Sequence, residues 1–389
     1  MADTTKSKRP ANTAFKQQRL KAWQPILTPK TVLPAFFILG VVFVPIGIGL
    51  YIASNNVQQV IFDYTNCDTQ NVSPVTKMSY DTPTKVCTVT FTVPSDMPQP
   101  VYLYYRLTNF YQNHRRYVKS FDANQLANLG VSSNSPPPAP TSVCSPLSRP
   151  GDAPAGTYSW VANNQFDANA VIYPCGLIAN SYFSDVISDL TPVTLANKTP
   201  VKFSSKGLAW PSDSAKFQTS SLFTAGTVSG GNLSTLVFPP PQWVTAFPGQ
   251  DFSKGYTTSN FPDVSAMERF QVWMRPAGLP NFRKLWGRLD VDLLAGEYTV
   301  QITNNFNVNT FGGTKSIVIS TVSILGGKNP FLGISYIVVG IVCWILGLLF
   351  LLRHMIKPRK LGDYTYLSWN QPQRGAAQAD GAASGPFQR

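Results

Sequence analysis

Two long apolar segments, one near each end of the chain, constrain the fold more than any other feature. The most apolar part of the first is Val32–Ala53, and the second is Asn329–Leu352. Each is long enough to form a helix that crosses the ~30 Å hydrocarbon core of a bilayer. The sequence therefore predicts transmembrane helices over residues 31–53 and 329–352, with residues 54–328 forming an ectodomain between them.

The distribution of basic residues predicts which side of the membrane each part occupies. The two tails, 1–30 and 353–389, together contain 13 basic and 3 acidic residues, whereas the ectodomain contains 19 and 16. Because basic residues close to a span favour the cytosolic side, we expect both tails in the cytosol. The first span begins too late for a cleaved signal peptide and should act as an uncleaved anchor. In the N-terminal tail, Phe15, Arg19 and Trp23 recur every four residues, which predicts a short amphipathic helix.

Cysteine usage agrees with a lumenal or extracellular ectodomain. Cys67, Cys87, Cys144 and Cys175 all lie in it, and disulfides persist in that environment. Four cysteines allow three pairings, and the sequence alone does not choose among them. The sequential pairing closes two short loops and is the one we favour. A zinc site is disfavoured because no two of these cysteines have CxxC spacing.

Three N-x-[ST] sequons also fall in the ectodomain, at Asn71, Asn197 and Asn232. They predict N-linked glycosylation there. Glycans are the only non-protein groups that we expect, with no cofactor and no metal. The basic tails of a membrane-tethered protein set its topology and attract anionic lipid, so nucleic acid is not an expected partner.

The ectodomain pattern predicts short strands with helical insertions. Alternation of apolar and polar residues predicts strands over Val86–Val93, Val101–Leu107, Glu297–Val308 and Thr314–Ile324. The last two are expected to form a hairpin through Asn309–Gly313. Helical spacing predicts helices over Thr108–Phe121 and Asp263–Met274. The predicted fold class is a membrane protein with two transmembrane α-helices and a large, mainly antiparallel-β (α+β), disulfide-bonded, glycosylated ectodomain, formed as one domain or two packed lobes.

Five strings carry a family resemblance. They are NFYQNHRRYVKS at 109–120, PCGLIANSYF at 174–183, GLAWPSD at 207–213, RFQVWMRPAGLPNFRKLWG at 269–287 and FGGTKSIVISTVSILGGKNPFLGISYIVVG at 311–340. Together they resemble the CDC50/LEM3 family, the accessory β-subunits of P4-ATPase phospholipid flippases. The resemblance covers roughly residues 12–365, and only the extreme tails and residues 132–156 lack family features.

The resemblance implies a function that involves no chemistry in this chain. Members of the family pair one-to-one with a P4-ATPase α-subunit, which moves phospholipid from the outer or lumenal leaflet to the cytosolic leaflet. The β-subunit acts as a chaperone for exit from the endoplasmic reticulum and supports stability and activity of the α-subunit. The complex then resides in the Golgi, endosomes or plasma membrane. The resemblance also implies the sequential disulfides Cys67–Cys87 and Cys144–Cys175.

Residue chemistry also favours binding over catalysis. His114 is the only histidine of the ectodomain, and no orienting carboxylate or nucleophile accompanies it in the sequence. We expect a structural role for His114, Arg115 and Arg116. The alternative is contact of their cationic side chains with a partner or with lipid headgroups, because guanidinium groups bind carboxylate and phosphate oxygens in pairs.

A second cationic and aromatic string gives tentative partner-binding residues. Arg275 and Trp286 belong to the residue types that most often anchor protein–protein contacts. The alternative is that the aromatic side chains of this string fill the ectodomain core, while its cations, including Lys284, lie on the surface.

Small residues in the second span predict helix packing. Gly333, Gly340 and Gly347 are seven apart and lie on one helix face, which lets another helix approach closely. That helix is either the first span or a helix of the ATPase. Pro45 predicts a kink or an unwound turn in the first span. Cys343, in the middle of the second span, is interpreted as an apolar filler.

A two-span channel subunit is the alternative from another functional class. A pore needs polar or ionisable residues within a span, and neither predicted span contains a charged residue. The channel hypothesis predicts homotrimers, whereas the flippase hypothesis predicts a 1:1 heterodimer.

Overall fold

A computed structural model describes most of the chain. The described residues are 10–21, 28–67, 73–127, 142–162, 165–168, 170–196, 198–220, 227–228, 231–247, 249–257, 259–323 and 326–358. They fall into two compact units, one from Met1–Ile52 with Asn329–Arg389 and the other from Ala53–Lys328. These are the membrane unit and the ectodomain.

The helices are α1 (Pro29–Asn55), α2 (Arg115–Lys119), α3 (Ala123–Leu126), α4 (Leu177–Asn180), α5 (Pro211–Ser214), α6 (Leu233–Leu236), α7 (Pro241–Ala246), α8 (Glu268–Met274) and α9 (Phe331–Ile356). The strands are β1 (Gln59–Asp63), β2 (Val75–Asp81), β3 (Val86–Val93), β4 (Val101–Leu107), β5 (Val171–Ile172), β6 (Val186–Ile187), β7 (Thr191–Pro192), β8 (Thr227–Val228), β9 (Gly231–Asn232), β10 (Val237–Phe238), β11 (Phe282–Leu289), β12 (Gly296–Thr303) and β13 (Lys315–Ser320).

The membrane unit contains two helices, α1 and α9, that are long and apolar enough to cross a membrane. Helix α1 includes the predicted span 31–53 and extends two residues beyond it at each end, whereas α9 begins two residues after the predicted start at Asn329 and ends four residues after Leu352. The unwound turn predicted at Pro45 does not form, because α1 is helical throughout. Within the described residues 13–21, the predicted amphipathic helix of the N-terminal tail does not form either. The chain makes only turns over residues 14–18, where Gln18 has a φ of 53°, which a right-handed helix cannot accommodate. Trp23 lies outside the described residues.

Two antiparallel sheets form the ectodomain framework. One has four strands in the order β1-β13-β4-β11, and the other contains β2-β3-β12-β6, with β7 also paired to β12. Alternate residues of β3 and β4 are buried, as the period-two pattern requires. The sheets share one core, where the rings of Phe62 on β1 and Phe91 on β3 are 4.9 Å apart. The predicted antiparallel class is confirmed.

The predicted hairpin through Asn309–Gly313 is wrong. Strand β12 lies in the five-stranded sheet and β13 lies in the four-stranded one, so their connection crosses between sheets. It is anchored inside the domain, because the backbone N–H groups of Asn305 and Phe306 both donate to the buried carboxylate of Asp185. A short 3-10 turn, Asn309–Phe311, then leads into β13. Strand β3 and strand β4 match their predicted bounds, while β12 and β13 are shorter than predicted.

The two predicted ectodomain helices are also shorter than predicted. Only α2 forms within Thr108–Phe121, because Asn109 adopts a φ of 56° and its backbone N–H donates to the side chain of Asn281. Only α8 forms within Asp263–Met274. The side chain of Asp263 accepts the backbone N–H of Ser265, which makes a turn in place of the first helical residues.

Two disulfides brace the ectodomain. They join Cys67 to Cys87 and Cys144 to Cys175, with Cα–Cα distances of 5.8 and 5.7 Å. The sequential pairing is therefore confirmed. The second disulfide lies in a smaller hydrophobic cluster beside the main core.

Candidate interaction surfaces

Asp185 and Lys315 form an ion pair within the ectodomain core. Their side chains are 0% and 1% exposed, and Lys315 Nζ lies 2.6 Å from Asp185 Oδ2. The same carboxylate accepts a hydrogen bond from Tyr64 Oη at 2.9 Å. Burial lowers the pKa of Lys315, and the Asp185 charge opposes that change. Since no solvent reaches this pair, it serves the fold and offers no surface for a ligand.

Lys284 is the second buried lysine, contrary to the expectation that it lies on the surface. Its Nζ donates to the backbone carbonyls of Val272 at 3.1 Å, of Trp273 at 3.4 Å and of Arg275. These carbonyls are at the C-terminal end of α8, where helical acceptors lack partners. Burial, with a smaller contribution from the charge of Arg275, lowers the pKa of Lys284 to about 7. The contact ties β11 to the end of α8 and holds the backbone of Arg275.

Trp286 does not lie on a surface, which corrects its tentative assignment to partner binding. Its side chain is 5% exposed and packs edge-on against Tyr105 and Phe183. The guanidinium of Arg269 covers the remaining face at 3.9 Å from the ring centroid. The aromatic ring fills the core, as the alternative interpretation held.

Arg275, in contrast, is exposed beside an exposed tryptophan. Its guanidinium lies 4.3 Å from the ring centroid of Trp210, and Nη1 is 3.7 Å from Asp213 Oδ2. Trp210 is 63% exposed and immediately precedes α5, which begins at Pro211. We call Trp210, Asp213 and Arg275 the Trp210 surface. Sequence reasoning did not single out Trp210, although a Trp-Pro step at a helix start places the tryptophan outside the helix and was a usable signal.

Helix α2 presents a basic surface. His114, Arg115, Arg116 and Lys119 are exposed, and among the described residues none of these side chains has a hydrogen bond or ion pair. Tyr117 anchors the other side of the helix, because its hydroxyl lies 2.7 Å from Ser181 Oγ. Burial raises the pKa of Tyr117 to about 12. The expected structural role for the histidine and the two arginines therefore has no support in their described contacts, and contact with a ligand or a partner stays a prediction.

The glycine face of α9 lies against α1. A Cβ at Gly333 would be 2.7 Å from the backbone nitrogen of Tyr51, and one at Gly340 would be 2.7 Å from Val44 Cγ2. At Gly347 it would meet Phe36 Cβ at 3.4 Å, an ordinary close contact. The stripe thus packs on the first span, one of the two predicted alternatives, and Cys343 is a free, buried cysteine on the same helix.

The predicted glycosylation sites are described only in part. Asn232 ends the short strand β9, and its side chain is not described. Asn71 and Asn197 lie outside the described residues. Among the residues that the structure describes, no three His, Cys, Asp or Glu side chains come together as a metal site.

Taken together, these features define a two-helix membrane protein whose disulfide-braced β-ectodomain presents exposed cationic and aromatic surfaces. The profile of the LEM3 (ligand-effect modulator 3) family / CDC50 family matches residues 50–360. The chain belongs to this family.

Several curated relatives match over nearly the whole chain. It is 37% identical over 390 residues to the "Phospholipid-transporting ATPase accessory subunit CRF1" of Saccharomyces cerevisiae, covering 94% of this chain and 90% of the relative. It is 41% identical over 361 residues to "Cell cycle control protein 50A" of Bos taurus, covering 90% of each. It is 38% identical over 378 residues to "ALA-interacting subunit 3" of Arabidopsis thaliana, covering 95% of this chain and 93% of the relative.

Proposed function

We propose that this protein is the non-catalytic accessory subunit of a P4-ATPase phospholipid flippase. The observation that carries the proposal is the match of 94% of the chain to a relative named as a phospholipid-transporting ATPase accessory subunit. The arrangement of two apolar helices and a braced ectodomain supports it. In this role the chain pairs one-to-one with the ATPase, and the pair leaves the endoplasmic reticulum together.

The proposed topology places both tails in the cytosol and the ectodomain in the lumen or outside the cell. The uneven distribution of basic residues supports this orientation. It requires that the sequons at Asn71, Asn197 and Asn232 face glycosyltransferases. Removal of N-glycans should increase the mobility of the chain on a gel, and substitution of all three asparagines by Gln should abolish that change. An unglycosylated wild-type chain would argue against the orientation.

We propose that the ATPase contacts the ectodomain at the Trp210 surface. An exposed tryptophan with a stacked arginine combines large apolar area with a charged group that binds carboxylates, and these two residue types dominate interface energetics. The stacked geometry also restricts Arg275 before binding, which lowers the entropy lost on association. Replacing Trp210 by Ala should cost about 2 kcal/mol or more of binding free energy, and Arg275→Ala somewhat less.

Co-purification of a P4-ATPase with the tagged chain tests both proposals. Wild-type chain should recover the ATPase, and native mass measurement should give a 1:1 complex. Trp210→Ala should recover less, whereas Tyr80→Ala, which removes another exposed aromatic ring, should recover the wild-type amount. Homo-oligomers without a P-type ATPase would reject the function. Equal recovery by the Trp210 and Tyr80 variants would reject only the contact surface.

A further inference from the structure

Two adjoining cavities lie beside helices α2 and α3 of the ectodomain. One is a pocket of about 350 Å³ that reaches between α3 and α8. The other is a wide groove of about 1270 Å³ along α2. Val118, Phe121 and Ala123 line both, so the pocket and the groove share one wall.

The groove is cationic. Arg115, Arg116 and Lys119 line it, and they have no carboxylate partner among the described residues. Asp122 is the one carboxylate in its described lining, and its Oδ1 accepts backbone N–H groups of α3 at 2.8 and 3.3 Å. No other acidic residue occurs in the sequence between Asp122 and Asp152. The groove therefore keeps an unbalanced positive charge.

The pocket is apolar where the groove is charged. Phe121, Leu126, Phe217 and Met274 contribute to its wall. The one amide in the described wall, Gln271, has its hydrogen bonds filled within the protein. Its Nε2 donates to two backbone carbonyls at 3.0 and 2.9 Å, and its Oε1 accepts from a serine hydroxyl at 2.7 Å.

The remaining carboxylate at the rim of the pocket is also satisfied. Asp213 is paired with Lys216 at 2.7 Å. Lys216 and Arg275, which also line the pocket, are both paired with Asp213, so the described wall offers mainly apolar contact. Its volume is at the lower end of the range of about 300–1,000 Å³ that small-molecule sites occupy.

We propose that the pocket and the groove together bind a single-chain amphiphile with a phosphate monoester headgroup. The phosphate would lie against Arg115, Arg116 and Lys119, since guanidinium groups bind phosphate oxygens in pairs and an ammonium adds a further donor. The acyl chain would enter the pocket past Val118, where burial of its methylene groups stabilises the complex. The small pocket volume favours one chain over two. Because Asp213 and Arg275 also line the pocket, the site adjoins the Trp210 surface, but it does not depend on the proposed function.

Photo-crosslinking tests the site in the full-length chain, reconstituted alone in phosphatidylcholine nanodiscs. The probe is lysophosphatidic acid with a diazirine in its acyl chain, and ectodomain peptides are quantified after proteolysis. We expect labelling of the peptides that contain Phe217 and Met274. The double variant Arg115→Gln/Arg116→Gln should lower that labelling about tenfold, because hydrogen bonds to charged groups are worth more than neutral ones. The matched control Lys77→Gln/Lys202→Gln removes two exposed charges elsewhere and should leave labelling unchanged.

A second pair of variants tests the apolar part. Val118→Asp places a carboxylate in the shared wall and should lower labelling at least as much, whereas Val291→Asp, at another exposed valine, should not. Equal labelling by a lysophosphatidylcholine probe, whose phosphate is a diester, would overturn the assignment of a phosphate monoester headgroup. Complete displacement by inorganic phosphate at the affinity of the amphiphile would overturn the acyl-chain assignment. Labelling that both arginine substitutions leave intact would overturn the site as a whole.

Discussion

Replacing Asp185 by Asn should strongly destabilise the ectodomain, although it preserves side-chain size. The buried carboxylate accepts four hydrogen bonds. The donors are Tyr64 Oη at 2.9 Å, Lys315 Nζ at 2.6 Å, and the backbone N–H groups of Asn305 and Phe306 at 2.6 Å each. They come from the end of β1, from the start of β13 and from the crossover that joins the two sheets.

The magnitude follows from what an amide cannot accept. Asparagine has one acceptor atom and one donor atom, so at least one of the four donors loses its partner, and the Lys315 ammonium loses its counter-charge. Removing one member of a buried ion pair costs about 3–5 kcal/mol. For a domain of this size, each kcal/mol lowers the melting temperature by about 2–4 °C. We therefore expect Asp185→Asn to lower the melting temperature by roughly 10 °C.

Thermal unfolding of the full chain in mild detergent, followed by near-ultraviolet circular dichroism, measures this effect. The matched control is Asp189→Asn, an exposed aspartate four residues away, which should change the melting temperature by less than about 2 °C. Adding Lys315→Met to Asp185→Asn should recover part of the loss, because it removes the uncompensated charge. A melting temperature for Asp185→Asn within about 3 °C of wild type would refute the reasoning.

Three further perturbations have defined outcomes. Gly340→Leu should separate α1 from α9 and lower the melting temperature of the membrane unit, because a Cβ there would already be 2.7 Å from Val44 Cγ2. The control is Val342→Leu, on an exposed face of the helix. Equal melting temperatures for the two variants would contradict the packing of α9 on α1. Because burial lowers the pKa of Lys284 from 10.5 to about 7, the unfolded chain binds more protons than the folded chain between those pH values. The free energy of unfolding should thus rise by up to about 1.4 kcal/mol per pH unit above pH 7. Denaturant unfolding from pH 7 to 9 should show this rise in the wild type and not in Lys284→Met. A wild-type free energy of unfolding that does not change over this range would contradict the lowered pKa. Replacing Cys144 and Cys175 together by Ser should cost about 3 kcal/mol on denaturant unfolding, and an unchanged midpoint would argue against a bracing role.

The sequence predicted those parts of the fold that depend on local pattern. Strands β3 and β4 have their predicted bounds because in each one buried residues alternate without interruption with half-buried or exposed residues. The hairpin predicted after β12 is wrong because the pairing of β13 depends on distant residues and not on local pattern. A turn-like string such as NTFGG reports only that the chain bends, whereas β13 pairs with β4 and β1, whose residues are more than 200 positions away. Long-range pairing leaves no trace in a local window.

The candidate surfaces could be predicted only where the exposure of a side chain follows from its residue type. The two buried lysines show why residue type does not always determine exposure. Lys284 points inward because backbone carbonyls at the end of α8 accept hydrogen bonds from its ammonium group. Lys315 points inward because the carboxylate of Asp185 accepts a hydrogen bond from its ammonium group. A charge in a strand is ordinarily evidence for a solvent-facing position, so a reading by residue type places both on the surface. Burying them removes two positive charges from the exterior. The cationic side chains of α2, in contrast, stay exposed. Arg115, Arg116 and Lys119 keep positive charge available for a ligand along α2, where the string NHRRY predicts either a structural role or contact.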